Sequence, residues 1–418
     1  MQRLKESINI PPKHLLFLLA GPLLAGCIYL FFSGKDKTFE PIPHYPPLER
    51  KLVERTEKFL NKQGLRDDQL GLYIYDLTSD EEFYSKNEQR LMPPASCTKL
   101  VTAISSIRLF GLGFTFRDSL FYQGYIEDDI LYGDLLVKAD ADPGLWDFKE
   151  LGEAIKALNV HTIYGTVQLR SPLKAPLKMH HSWSRNDLKH TQLPILFQGE
   201  EAVKRSLKEE VKAQGISILE QVPVTPKSLN LNYIGATSHT LSNVLTPMIL
   251  FSNNALAQCI WTSLNSQFRL LDPSQELPQD YLLDFIGKEL KMPPYRYTLS
   301  DPSGLSPENR LSPKFLTDLL RWAYQQEDIR TFLLDEALPV PGGGERTGSL
   351  RWRMERGPAV GRVFAKTGTL NRLKTTTLSG YLLTAAGHTL AFSIMNQNMN
   401  LEDSRKFQDQ LCTELTRP

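Results

Sequence analysis

The stretch "PPASCTKLVTAISSIRLFG", Pro93 to Gly111, sets a serine and a lysine three positions apart at the head of an apolar run. Pro93 and Pro94 favour extended backbone ahead of Ser96. Leu100, Val101, Ile104 and Ile107 then recur at helical spacing as far as Gly111. The pattern predicts a helix beginning at Ser96, with Lys99 one turn along the same face, where its side chain reaches the hydroxyl. A lysine in a poorly solvated pocket binds its proton less tightly and can take the serine's, and a helix N-terminus offers N–H groups to a developing oxyanion. The competing reading makes Ser96 an N-cap and Lys99 a solvated charge. The same spacing recurs at Ser171 and Lys174, but Pro172 and Pro176 break any helix there and leave that pair unfixed.

Two further stretches bear on the choice. Ser252, Asn253 and Asn254 lie between the apolar segments "NVLTPMILF" and "ALAQCIW". Polar groups in such a setting need partners, and a hydroxyl with an amide can relay a proton and orient a peptide bond. The alternative is a polar helix turn facing solvent. In "FAKTGTL", Lys366, Thr367 and Gly368 sit on an alternating strand, where a cation, a hydroxyl and close backbone access suit a carboxylate on an extended chain. The rival is an ordinary edge strand. The similar triplet Arg346 to Gly348 follows "PVPGGG" in a glycine-rich loop and ranks below it.

Around these motifs the chain reads as α+β. A helix is expected over "LERKLVERTEKFLNKQG", then strand, turn and strand over "LGLYIYDLTSDEEFYSKNEQRLMPPAS". Near the other end "GRVFAKTGTL", "TTLSGYLLTAA" and "HTLAFSIMNQN" read as successive strands. Phe407, Leu411 and Leu415 then mark one face of a closing helix. Strands at both ends with helices between them imply one domain, 48–136 and 231–418, whose sheet joins its two ends. The stretch 137–230, with short strand-like pieces among proline-rich loops, reads as an inserted domain. A formal net charge of +1 gives no reason to expect a nucleic-acid partner.

From Leu15 to Phe32, "LLFLLAGPLLAGCIYLFF", an uncharged run spans about 27 Å as a helix, close to a bilayer core. Arg3, Lys5 and Lys13 ahead of it put the N-terminus in the cytoplasm and the body in the periplasm. An uncleaved inner-membrane anchor, a cleaved signal and a lipoprotein signal ending at Cys27 are the three readings. Continuation of the run past Cys27 favours the anchor, over residues 1–33, with a proline-rich linker at 34–47. Cys97 and Cys259 read as small buried thiols, and a bridge between them stays open. His161, His180, His181, His190 and His239 show no metal-ligand spacing and read as surface or loop residues.

Ser-x-x-Lys, Ser-x-Asn and Lys-Thr-Gly in this order are the signature set of serine penicillin-binding proteins and β-lactamases. The sequence resembles, more narrowly, the low-molecular-mass class C penicillin-binding proteins, a D-alanyl-D-alanine carboxypeptidase and endopeptidase group. The narrower likeness is carried by "GYIEDDILYGDLLVKADADPGL", "SHTLSNVLTPMILFSNNALAQ", "LSDPSGLSPENRLSP", "LPVPGGGERTGSLRWRM" and "VFAKTGTLNRLKTTTLSGYL", and it covers most of the chain from Gly71 onward. It implies the transpeptidase-like fold of that group with a small inserted domain. Ser96 would attack the carbonyl between two terminal D-alanines of a peptidoglycan stem peptide, with Lys99 as base. Ser252 and Lys366 would complete proton transfer, Asn254 would bind the substrate amide, and Lys366 with Thr367 and Gly368 would receive the terminal carboxylate. Backbone N–H groups of Ser96 and Thr369 would form the oxyanion hole. β-Lactams would acylate the same serine, and neither a metal nor an organic cofactor is required.

The likeness is incomplete in three places. Asn253 stands where the group often has Asp, "DPSG" at 301–304 replaces a more usual Asp-Gly-Ser-Gly, and the insertion is short. Asp301 and Ser303 read as turn-formers near the site. A β-lactamase of the same fold and a non-catalytic peptidoglycan-binding scaffold are the competing functions. No Glu-x-x-Leu-Asn follows the Ser-x-Asn motif, as a class A β-lactamase would have; the one match, Glu57 to Asn61, precedes Ser96.

Overall fold

The strands expected at the two ends of the sequence meet as neighbours in one sheet. In this computed structural model, residues 50–173, 175–189, 191–220, 230–271 and 280–418 are described. The expected anchor, the linker, Cys27, Lys174 and His190 lie outside them. Among the described residues no helix is long and apolar enough to cross a membrane.

Helix α1 (Arg50–Gln63) leads into β1 (Leu70–Asp76) and β2 (Glu81–Lys86). Helix α2 (Thr98–Phe110) precedes β3 (Thr115–Glu127) and β4 (Ile130–Lys138). Helix α3 (Lys149–Lys156), β5 (Thr162–Tyr164), β6 (Val167–Arg170), α4 (Glu200–Ala213) and β7 (Ser217–Leu219) follow. The chain returns through β8 (Leu231–Thr240), α5 (Leu241–Leu250), α6 (Asn254–Leu271), α7 (Tyr281–Lys288) and α8 (Pro313–Tyr324). It closes with β9 (Val363–Leu370), β10 (Thr375–Leu383), β11 (Thr389–Asn396) and α9 (Leu401–Thr416).

The first sheet runs β2-β1-β11-β10-β9, so β9 is an edge strand. The neighbours are antiparallel, with Ile74 opposite Phe392 and Lys366 opposite Ser379. Because strand side chains alternate between faces, Leu390, Phe392 and Ile394 enter one buried layer while Ala391 and Met395 enter another. The first layer is closed by α1 and α9. Phe407, Leu411 and Leu415 are buried there, and Phe59 stacks on Phe407 at 5.8 Å between ring centroids. The second layer is helical, and α2 lies in it with Leu100, Val101, Ile104 and Ile107 fully enclosed by residues such as Leu245, Phe285 and Phe315.

A second sheet runs β7-β5-β4-β3-β8, with β6 also paired to β4, and has its own core around Leu135, Leu151, Phe197 and Leu207. It reaches from Thr115 to Thr240, beyond the expected 137–230 on both sides. The β3–β4 hairpin turns through Asp128 and Asp129, at φ 49° and 56°. That left-handed pair is the conformation a two-residue hairpin needs, so the antiparallel ladder commits before the expected boundary.

Candidate active site

The helix predicted at Ser96 begins in two steps. Ala95–Cys97 forms a single 3-10 turn and the α-helix proper starts at Thr98, whose hydroxyl donates to the Ala95 carbonyl at 2.9 Å. Ala95 itself sits at φ 47°, a strained position for a residue with a Cβ. Gly304 holds it there. A Cβ on Gly304, at φ 81°, would lie 1.8 Å from the Ala95 carbonyl oxygen, so only glycine lets the 301–304 loop press on the turn.

Lys99 is buried with no exposed surface. Its Nζ donates to Ser96 Oγ at 3.1 Å, to Asn254 Oδ1 at 2.6 Å and to the Ser303 carbonyl at 2.6 Å. Three acceptors match the three N–H bonds of an ammonium. In the neutral amine two N–H bonds suffice for Asn254 and Ser303, and the lone pair is free to accept the Ser96 proton. Desolvation, reinforced by the positive charge of Lys366, holds Lys99 well below the usual lysine range, with the Asp301 carboxylate opposing. The site is therefore built to exchange one proton between a serine and a buried amine.

Lys366 comes from the edge strand. It too is fully buried, and desolvation draws its pKa down to about 8. Its Nζ donates to the Thr367 carbonyl at 2.8 Å. The strand is bound to the serine turn through Cys97, whose thiol donates to the Lys366 carbonyl at 3.2 Å and accepts from Thr377 Oγ1 at 3.1 Å. The single Thr377 hydroxyl proton is shared between this sulfur and the Pro94 carbonyl, the nearer of the two at 2.8 Å. Burial pushes the Cys97 thiol up, so it stays neutral. Gly368 permits this approach, since a Cβ there would meet Thr377 Oγ1 at 2.1 Å and Ala95 Cβ at 2.9 Å.

Thr367 and Thr369 lie on the alternate face of the strand. Thr367 Oγ1 donates to Ser349 Oγ at 2.7 Å, and Arg405 Nη2 donates to Thr369 Oγ1 at 3.2 Å. Both threonines line an open groove of 820 Å³ together with Phe251, Ser349, Trp352 and Arg405. Trp352 is 79% exposed and Phe251 66%. The groove's charged, aromatic and hydroxyl lining suits a polar peptide more than a closed apolar ligand.

Ser252 occupies the turn between α5 and α6 at φ 59°. Asn253 caps α6 by accepting from the Leu256 N–H at 3.0 Å, and this presents Asn254 at the first position of the helix. Ser96, Lys99 and Asn254 are thus joined directly, and Lys366 is tied to them through Cys97. Among the described residues no hydrogen bond joins the Ser252 hydroxyl to Ser96, Lys99 or Lys366.

The sequence pattern passed over several participants. Ser303 takes part through its main-chain carbonyl, which no side-chain motif reveals. Asp301, read as a turn-former, accepts from the N–H of Gly304 and Ser306, from Asn309 Nδ2, from Ser303 Oγ and from Trp183 Nε1. Ser349 belongs to the loop ranked below Lys366. Its neighbour Arg346 is structural, donating to the Leu334 and Leu338 carbonyls. Ser171 accepts from the Leu173 N–H in a local turn. Cys97, Cys259 and Cys412 are all free and buried, so the bridge left open between Cys97 and Cys259 does not form. His180 and His181, read as lacking ligand spacing, come together with Glu308.

Comparison with known proteins agrees with this architecture. Penicillin-binding protein 4 from Haemophilus influenzae superposes with a TM-score of 0.66 at 19% identity, covering 86% of this chain and 97% of that one. A predatory peptidoglycan endopeptidase from Bdellovibrio bacteriovorus gives 0.55 at 15% identity, over 81% and 88%. In sequence, a D-alanyl-D-alanine carboxypeptidase of Actinomadura sp. is 32% identical over 188 residues, 43% of this chain and 32% of that protein. A penicillin-sensitive carboxypeptidase A of Dictyostelium discoideum is 29% identical over 187 residues, 43% of this chain and 35% of that protein. The chain thus spans about a third of the length of the curated relatives it matches. A family match extends much further, over residues 52–196 and 194–417, and on it the chain belongs to the D-Ala-D-Ala carboxypeptidase 3 (S13) family.

Proposed function

We propose that this protein is a serine D,D-peptidase that hydrolyses the bond between terminal D-alanines of peptidoglycan stem peptides, with the cross-link endopeptidase reaction as the same acyl step on a different leaving group. The observation that carries this reading is the buried Lys99 amine 3.1 Å from Ser96 Oγ, with two further acceptors. Neutral Lys99 takes the Ser96 proton as Oγ attacks the carbonyl carbon. The resulting ammonium is then held by three acceptors. The backbone N–H groups of Ser96 and Thr369 receive the oxyanion. Ser252 and Lys366 carry the proton toward the leaving amine, and the carboxamide of Asn254 orients the substrate amide. Lys366, Thr367 and Gly368 receive the terminal carboxylate, and the Ser349 hydroxyl beside Thr367 adds a second donor. Water then releases the acyl group.

The similar proteins fit this reading. One is named a D-alanyl-D-alanine carboxypeptidase, and a neighbouring fold is a penicillin G-acylated endopeptidase. Residues 48–136 and 231–418 supply the chemistry, and the inserted region supports the 301–304 loop through Trp183. The apolar stretch 15–32 supports an inner-membrane tether with the body in the periplasm. Alkaline carbonate extraction of cells expressing the full chain leaves it in the membrane pellet. Release into the supernatant refutes the tether.

Benzylpenicillin forms a long-lived adduct on Ser96, seen by intact-mass spectrometry and peptide mapping, and Ser96→Ala abolishes it with an unchanged circular dichroism spectrum. An adduct that persists in the variant assigns the nucleophile elsewhere. Rapid penicillin loss without an adduct favours a β-lactamase. Neither adduct nor loss, in folded protein, favours a scaffold.

Acylation depends on pH through two lysines. Lys99 must be neutral, and its lowered pKa supplies that form at lower pH than an ordinary lysine would. Lys366 must be charged to hold a carboxylate, so acylation by benzylpenicillin falls as pH rises through about 8. The methyl ester of benzylpenicillin, lacking the carboxylate, does not show that fall. An identical fall for both compounds removes Lys366 from carboxylate binding.

Gly304→Ala drives a methyl group into the Ala95 carbonyl and displaces the Ser96 turn. The acylation rate drops at least about tenfold, as expected for a small displacement of the reacting groups. An unchanged rate shows that the 301–304 loop does not set the nucleophile's position.

A further inference from the structure

The segment 180–183 of the inserted region lies against the loop that supports Lys99. Trp183 Nε1 donates to Asp301 Oδ2 at 2.9 Å, and Arg372 Nη2 from the β9–β10 connection donates to the Ser182 carbonyl at 3.1 Å. Trp183 is buried in this contact. At its edge a third link is set up: one ligand atom from each of His180, His181 and Glu308 lies within 4.8 Å of the other two. From this cluster we infer that His180, His181 and Glu308 form a binding site for a zinc-like divalent transition-metal ion.

Local backbone geometry produces the arrangement. Adjacent residues of an extended chain send their side chains to opposite sides. Here the Trp183 N–H donates to the His180 carbonyl at 3.0 Å, and the turn brings the two imidazoles together at 4.2 Å between centroids, 39° apart. His180 Nδ1 pairs with Ser182 Oγ at 2.7 Å. The Ser182 N–H also points at this Nδ1, at 3.4 Å; turning the Ser182 hydroxyl to accept from Nδ1–H in place of that longer contact leaves Nε2 its lone pair, and such a second hydrogen bond orients a ligating histidine. Glu308 is anchored by its own N–H, donated to Ser306 Oγ at 3.2 Å, and its neighbour Asn309 is locked to Asp301. His181 Nε2 already lies 3.5 Å from Glu308 Oε1.

The donor set selects the ion. Two imidazoles and one carboxylate suit zinc and its neighbours, whereas magnesium prefers an all-oxygen octahedron. Bonds of about 2.0–2.1 Å in a tetrahedron put donor atoms roughly 3.3 Å apart, so the cluster closes by small rotations of partly exposed side chains. An ion-pair reading accounts for less. One carboxylate balances one imidazolium, and protonating both touching rings sets like charges against each other. A divalent ion uses both rings neutral together with the carboxylate. Bound there, it ties 180–183 to the 301–309 loop and so steadies the Ser303 carbonyl under Lys99. The ion is a clamp and takes no part in the bond-breaking step.

The test uses the full chain in detergent, without a polyhistidine tag, stripped with chelator and titrated with zinc chloride against a chromophoric competitor. About one zinc per chain binds, and magnesium does not displace it. His181→Ala and Glu308→Gln each weaken binding at least about tenfold, and zinc raises the melting temperature of the parent protein but not of these variants. Both side chains are substantially exposed, so the variants keep the fold. Ser96→Ala binds zinc like the parent, which separates this site from the proposed catalysis. Equal zinc affinity and stoichiometry in the parent and both variants overturns the assignment, as does a thermal shift that both variants retain.

Discussion

A lysine side chain without contact to solvent is the constraint around which this molecule is arranged. Burying an ammonium is expensive unless its charge is lost or every N–H is bonded. Lys99 is provided for in both protonation states. Desolvation and the nearby Lys366 charge favour the neutral amine, and three acceptors await the ammonium. Those acceptors stand at sequence separations of 3, 155 and 204, so a local element supplies only the first. The helical layer, the α5–α6 turn and the 301–309 loop must all be in place before the lysine can be buried at acceptable cost. The proton-exchange pair therefore depends on the tertiary fold.

The second constraint is how close an edge strand can come to the turn carrying the serine. β9 has its partner β10 on one side only, and the serine turn lies against the face that holds Gly368. Thr377, on β10, reaches past the missing side chain to bond Pro94 and Cys97. A neutral thiol, a hydroxyl and a glycine thus fix the distance between Lys366 and Ser96. Since side chains alternate along the strand, the same backbone turns Lys366 inward and Thr367 and Thr369 toward the groove. One strand can then present a buried cation on one face and hydroxyl donors on the other.

Where a function depended on side-chain type at short spacing, the sequence was readable. The helix from Ser96, the reach of Lys99, the strand holding Lys366 and the paired terminal strands follow from periodicities of 3.6 and 2. Their assignment to a fold group rested on three motifs in order, none sufficient alone. Main-chain participation was invisible: the Ser303 carbonyl has no residue signature, and "DPSG" reads as a turn whatever its carbonyl meets. Long-range partners were invisible too. Glu308 is more than a hundred positions from His180 and His181, and no spacing rule connects them. The second sheet extends past the expected inserted region, 137–230, because its central hairpin, β3 and β4, follows directly from α2 with no composition break.

The inserted region touches the loop that supports Lys99. Its Trp183 is buried against Asp301, and Asp301 organises the loop whose Ser303 carbonyl meets Lys99. Arg372, which holds Ser182, follows β9 directly, so the same segment also touches the strand that carries Lys366. A displacement of residues 180–183 therefore reaches both lysines through two hydrogen bonds, without any contact to a reacting atom. Two-point attachment converts a shift of the insertion into a change in the relative placement of Lys99 and Lys366. Because acyl transfer is sensitive to the placement of its reacting groups, the 180–183 segment has a physical path to the rate.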